Sequence, residues 1–282
     1  MSMPQPTIAE TELAVQTALT RASLYRLLAK SFRYPTEPVL KFVRSSAYED
    51  ALQELFALHS DDGELQQHAD SFAAARAQLC TTDSRDALEA EYNRLFAHLG
   101  SAKCPPYETE FGHENVFQKT DAMADIAGFY SAYGLEPSAT DTERVDFISM
   151  ELEFMSYVAL HEAYAREHGE SEHLEVCIDT QRKFLQDHLG RWVSVFSNIL
   201  SNATASPFYT WLGRFTEYFI DSEARNLKVT LGKVAGPVKM ESLAPESFGC
   251  DGCVAHEAMN EVRVQQDATQ CLTRRSGERI PG

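Results

Sequence analysis

Two groups of residues in this 282-residue chain have types and spacings that could do chemistry. The first is Cys250-x2-Cys253-x2-His256, with Cys271 further along. Two thiolates, an imidazole and a third thiolate can complete a tetrahedral zinc site, and a loop-rich segment gains order from the metal. The alternative is an irregular tail bearing incidental thiols. Haem attachment needs His directly after the second cysteine, where Val254 stands, and a thioredoxin-type site needs a strand–helix–strand context that is absent. Other signatures are missing too. Gly232-Lys233 runs into Val234 rather than Ser or Thr, so there is no phosphate-binding P-loop, and neither a Gly-x-Ser-x-Gly elbow nor a His-Glu-x-x-His helix occurs. His161 and His168, seven apart, read as surface imidazoles. No catalytic residue and no cofactor is assigned, and no enzyme signature is found.

The second group consists of aromatics, prolines and carboxylates. Tyr92, Leu95 and Phe96 form an i, i+3, i+4 trio, which is ordinarily core. Pro105-Pro106-Tyr107-Glu108 is a rigid loop presenting an aromatic, an arrangement costly in a core and natural at a binding rim. Asp146 and Glu151 lie on an apolar segment. Glu151 stands four residues after Phe147 and three before Phe154, so its carboxylate is at least partly desolvated and needs a partner, such as an Arg or a backbone amide.

The elements that must position these residues are helices. Apolar residues recur at helical spacing from end to end and alternating runs are scarce, which predicts an all-α protein of about ten helices. Helices are expected over about 10–32, briefly after Pro38, and over 46–59, 64–80, 84–98, 114–133, 141–168, 171–188, 190–201 and 207–225. Pro35 stops the first, Gly134 and Gly169 close two others, and Thr140 or Asp141 can cap the 141–168 helix. That helix is central, because Val145, Ile148, Leu152, Met155 and Ala159 make one stripe while Phe147, Phe154 and Val158 extend apolar character to another side. Residues 1–226 are read as a single globular helical domain. Past Leu227 the periodicity is lost and Gly and Pro recur, so 227–282 reads as a mostly irregular tail.

Glu91-Tyr92-Asn93-Arg94-Leu95-Phe96, then Cys104-Pro105-Pro106-Tyr107-Glu108-Thr109-Glu110, then Asp146-Phe147-Ile148-Ser149-Met150-Glu151-Leu152-Glu153-Phe154-Met155 resemble, in order, the motifs of the TorD/DmsD/NarJ family of cytoplasmic chaperones for molybdenum enzymes. Thr109 stands where the family often has Ser, and Phe147 where it has the His of its Asp-His pair. The resemblance implies binding of the twin-arginine signal peptide and apo form of a molybdenum-containing, DMSO-reductase-type catalytic subunit until its cofactor is in place. It implies Tyr92, Leu95, Phe96, Pro105, Pro106, Tyr107, Glu108, Asp146 and Glu151 as partner-binding residues. The competing expectation is a metal-binding or redox protein that works through the cysteine tail.

Charge agrees with a basic partner. The formal net charge is −17, and since residues 227–282 carry seven basic and seven acidic side chains, all of it lies on residues 1–226. Such a field repels phosphate backbones, so nucleic acid is not expected. Residues 143–175 carry nine acidic side chains against Arg144 and Arg166, interleaved with Phe, Met, Tyr and Leu. A twin-arginine peptide brings a basic region and an apolar region, and this segment is the complement of both. Glu162, Glu167, Glu170, Glu172 and Glu175 are read mainly as a solvated face. No apolar stretch approaches the ~20 residues that span a bilayer. The first twenty residues hold no Lys or Arg for a signal-peptide start, so a cytoplasmic protein with reduced cysteines and no stable membrane insertion is expected.

Overall fold

A computed structural model describes residues 7–58, 62–81, 84–96, 103–112, 115–136 and 143–237. The chain divides into two compact units, Met1–Val238 and Lys239–Gly282. Cys250, Cys253, His256 and Cys271 belong to the second and lie outside the described residues, as do Thr140 and Asp141.

Among the described residues there are ten α-helices and no strand beyond two isolated bridges. They are α1 (Ile8–Ser31), α2 (Glu37–Val43), α3 (Ser46–Leu58), α4 (Gly63–Leu79), α5 (Ser84–Phe96), α6 (Val116–Ala132), α7 (Ile148–His168), α8 (Ser171–Phe184), α9 (Gly190–Ala203) and α10 (Pro207–Leu227). A π turn, Leu185–Leu189, joins α8 to α9. No helix among the described residues is long and apolar enough to cross a membrane.

The helix limits follow local chemistry. Thr7 and Glu10 form a reciprocal capping box that starts α1, and Pro207 opens α10 behind a Ser206 cap. Gly169 ends α7 in the left-handed conformation, φ 68°, which a side chain would oppose.

α7 lies at the centre, with Ile148, Leu152, Phe154, Met155, Val158 and Ala159 all buried. It runs antiparallel to α1: the Arg33 Nε donates to Ser149 Oγ at 3.0 Å, Ser156 Oγ donates to the Ala22 carbonyl at 2.7 Å, and Arg21 meets Glu162 at 2.7 Å. α8 packs on α7, while α10 packs on α9 and α4.

Three expectations are corrected here. The central helix begins at Ile148 rather than near 141, because residues 143–147 are extended or turned and pair with another segment. Glu162 is buried, not solvated, and is held by Arg21, Arg166 and Gln181. After α10, Val229, Leu231 and Val234 pack against the helical core, and Phe111 pairs with Pro237, so residues up to 237 sit with the body.

Candidate partner-binding groove

The loop at 103–112 and the turn at 143–148 form one clip. The Cys104 N–H donates to the Leu95 carbonyl at 3.0 Å, fastening the loop to the end of α5. Glu108 N–H donates to the Asp146 carbonyl at 2.9 Å and Ile148 N–H to the Pro106 carbonyl at 3.0 Å, an antiparallel bridge between Tyr107 and Phe147. The Asp146 carboxylate, fully buried, accepts from the Thr109 N–H (3.1 Å) and hydroxyl (2.8 Å) and from Arg144 Nε (2.9 Å) and Nη2 (2.7 Å). A carboxylate bonded this fully is spent on structure, and it is the physical reason that α7 starts late.

Tyr107 is only 4% exposed, so the Pro-Pro loop is built into the body rather than standing at a rim. Its ring packs on Phe147 at 5.6 Å, with the Arg144 guanidinium 4.4 Å from its centroid, and its hydroxyl reaches Glu143 at 3.3 Å. Pro106 and Glu108 are buried as well, and Pro105 is partly exposed. Leu95 and Phe96 are buried, and Tyr92 is partly buried between Tyr34 (5.2 Å) and Phe96 (4.8 Å). That trio behaves as the core its spacing suggests.

Beside the clip, at the start of α7, a groove of about 360 Å³ opens. Its floor includes Tyr130, Met150 and Phe154, and Glu136, Glu143 and Glu153 line it with carboxylates. Arg33 crosses one side, donating to Ser149 and reaching Glu153 at 3.3 Å. The Tyr130 hydroxyl donates to the Val145 carbonyl at 2.8 Å, fixing the floor to the turn. The groove therefore offers apolar surface with an excess of negative charge, in direct continuity with Tyr107 through Glu143.

Glu151 lies deeper. It is fully buried, with no Arg or Lys bonded to it among the described residues, and the Trp192 indole N–H donates to its Oε2 at 3.2 Å. Burial, and then the neighbouring Glu108 charge, push its carboxyl well above the usual carboxylate range, and the indole opposes them in part. The structure thus unites Glu108, Asp146 and Glu151 around the loop, and leaves Tyr92, Leu95 and Phe96 as its packing base.

Three contributors were not singled out in the sequence: Arg33, His188 and Trp192. His188 Nδ1 lies 3.3 Å from Glu108 Oε1 and its Nε2 3.2 Å from Asp125 Oδ2. Phe184, His188 and Trp192 repeat every four residues, so a polar ring inside an apolar stripe was the available signal.

Residues 58–198 match the family model described as the nitrate reductase delta subunit, half of the chain. The chain belongs to this family. The matched stretch of the nitrate reductase delta subunit family holds the clip, α7 and the π turn, and agrees with the resemblance carried by residues 91–110 and 146–155. Relatives include a perchlorate reductase assembly chaperone protein of Dechloromonas aromatica, 27% identical over 115 residues, which are 41% of this chain and 50% of that protein. The chaperone protein TorD of Vibrio cholerae is 23% identical over 141 residues, covering 50% and 62%, and TorD of Photobacterium profundum is 25% identical over 148 residues, covering 52% and 67%. The chain spans only half of the first relative and less than two thirds of the second.

Proposed function

We propose that this protein is a maturation chaperone for a redox enzyme, with no catalytic step of its own. It holds the twin-arginine signal peptide and the apo form of a molybdenum-containing catalytic subunit in the cytoplasm until the cofactor is inserted. The observation that carries this reading is the groove at the start of α7, where Tyr130, Met150 and Phe154 lie beside Glu136, Glu143 and Glu153. An apolar peptide segment is taken by the floor, and adjacent arginines are taken by the carboxylates, which also steer a basic peptide inward. Membership of the family and the assembly and chaperone names of the relatives support it.

The test uses a synthetic peptide with two adjacent arginines followed by an apolar stretch, titrated into the full chain. Replacing both arginines by glutamine, or combining Glu136→Gln with Glu143→Gln, is expected to weaken binding by roughly 1–2 kcal/mol, and raised salt to weaken the parent pair. Affinity indifferent to the arginines and to salt overturns the electrostatic part of the reading.

A further inference from the structure

Glu108 and Glu151 come from different elements and meet in the interior, 2% and 0% exposed. Each keeps one buried oxygen, Glu108 Oε2 and Glu151 Oε1, that accepts from no N–H or O–H donor among the described residues. Backbone and side-chain bonds set the two carboxyls side by side: Glu108 pairs across the bridge with Asp146, one turn before Glu151, and the residues that reach the two acids, His188 and Trp192, stand four apart. Two carboxylates repel, whereas a carboxyl and a carboxylate bond through one proton, which satisfies both orphan oxygens at once.

Among the described residues, few groups face this pair. Trp192 donates its indole N–H to Glu151; Asp146, paired with Arg144, still adds its charge to the repulsion on Glu151; and the Tyr130 hydroxyl is engaged by the Val145 carbonyl. His188 is the remaining neighbour, and it links Glu108 to Asp125, an exposed carboxylate on α6. Asp125 lines a cleft of about 820 Å³ together with Asp121, Asp187 and Arg191. The π turn carries His188, and a Cβ at Gly190 would come within 2.4 Å of the Leu185 carbonyl oxygen and 2.5 Å of Leu231 Cδ2, so only glycine lets that turn close.

We propose that Glu108 and Glu151 share a single proton, that this proton latches the 105–111 loop to α7, and that His188 and Asp125 are its route to water. The functional consequence rests on the groove reading above. Glu108 follows Tyr107, which bonds Glu143 at the groove, and its N–H holds the Asp146 carbonyl. When the proton passes through His188 and Asp125 to solvent, two like charges face each other inside the protein and push the loop off α7. A raised carboxyl contributes stability that is complete below the usual carboxylate range and is lost as pH climbs through its folded value.

The full chain and its Glu151→Gln variant are compared between about pH 5 and about pH 9, reading melting temperature, affinity for the two-arginine peptide, and the infrared carbonyl band of a neutral carboxyl. Both proteins contain the same histidines, so the difference between their profiles isolates the pair. In the parent, melting temperature falls with rising pH and affinity falls by about tenfold, which is about 1.4 kcal/mol of binding free energy. In Glu151→Gln both profiles flatten and the neutral-carboxyl band seen in the parent at neutral pH is gone. Identical slopes in the two proteins overturn the proposal, and so does a parent without that band. Melting and infrared results as expected with a peptide that never binds uphold the shared proton and overturn the groove reading instead.

Discussion

α7 carries two buried carboxylates, Glu151 near its start and Glu162 near its end, and they are kept by opposite means. Glu162 meets Arg21 and Arg166, each at 2.7 Å, and Arg21 also bonds Glu223 and Gln181. Burial alone would raise the Glu162 carboxyl, but the charge of Arg21, then the Gln181 and Arg166 bonds, bring it below its ordinary value. Glu151 has an indole N–H and another acid. A guanidinium fixes a buried charge in place; a proton removes the charge and leaves the site titratable. One end of the helix is therefore a fixed brace, and the other responds to pH.

The strongest way to break this comparison is to take away the brace. Arg21→Met leaves buried Glu162 with Arg166 and Gln181 and takes from buried Glu223 the guanidinium that holds it, and is expected to cost about 3–5 kcal/mol in denaturant unfolding at neutral pH. Glu162 contributes stability that is present above the ordinary carboxylate range and is lost as pH falls through its folded value, so the gap between parent and Arg21→Met should narrow on acidification. A gap that widens in acid removes Arg21 from this role.

Asp146 sharpens the comparison, since it stands close to Glu151 yet is fully bonded by Arg144 and Thr109. Asp146→Asn should cost about 2 kcal/mol, because the buried carboxylate that pairs with the partly exposed Arg144 is lost and one acceptor becomes a donor facing donors. Calorimetric melting checks it. The smallest effect is expected at Trp192→Phe, which keeps most of the packing and deletes the indole N–H donor to Glu151, for about 1 kcal/mol at neutral pH. Because that N–H favours the charged carboxyl, its loss should also move the alkaline fall in melting temperature to higher pH. A fall at unchanged pH separates Trp192 from Glu151.

Helical spacing was enough to read α1 to α10 and the central place of α7, because apolar stripes and glycine caps are local properties of the chain. The departures have long-range causes. Helical character continued back to about 141 on paper, but Asp146 is captured by Thr109, 37 residues earlier, which no local pattern reveals. Pro105-Pro106-Tyr107 looked like a rim because prolines are costly in a core, yet Phe147 and Arg144 give the tyrosine ring an apolar face and a cation inside the body. Glu162 looked solvated within an acidic run, and only the antiparallel placement of α1 brings Arg21 to it. The trio Tyr92, Leu95 and Phe96 was legible as packing, and Glu151 was legible as a carboxylate in need of a partner. That the partner is another acid was not.

The clip has a kinetic meaning as well. Glu108 finds His188 across 80 residues of chain, and Arg33 finds Ser149 across 116. Contacts of such separation carry a loop-closure cost that local helices do not, so they form after the helices have condensed. During synthesis the ribosome must deliver the chain through Trp192 before Glu151 has its indole and Glu108 its imidazole. The buried acids behind the groove are thus partnered only after α9 has begun to emerge, and a nascent chain shorter than that lacks the contacts that seat the 105–111 loop.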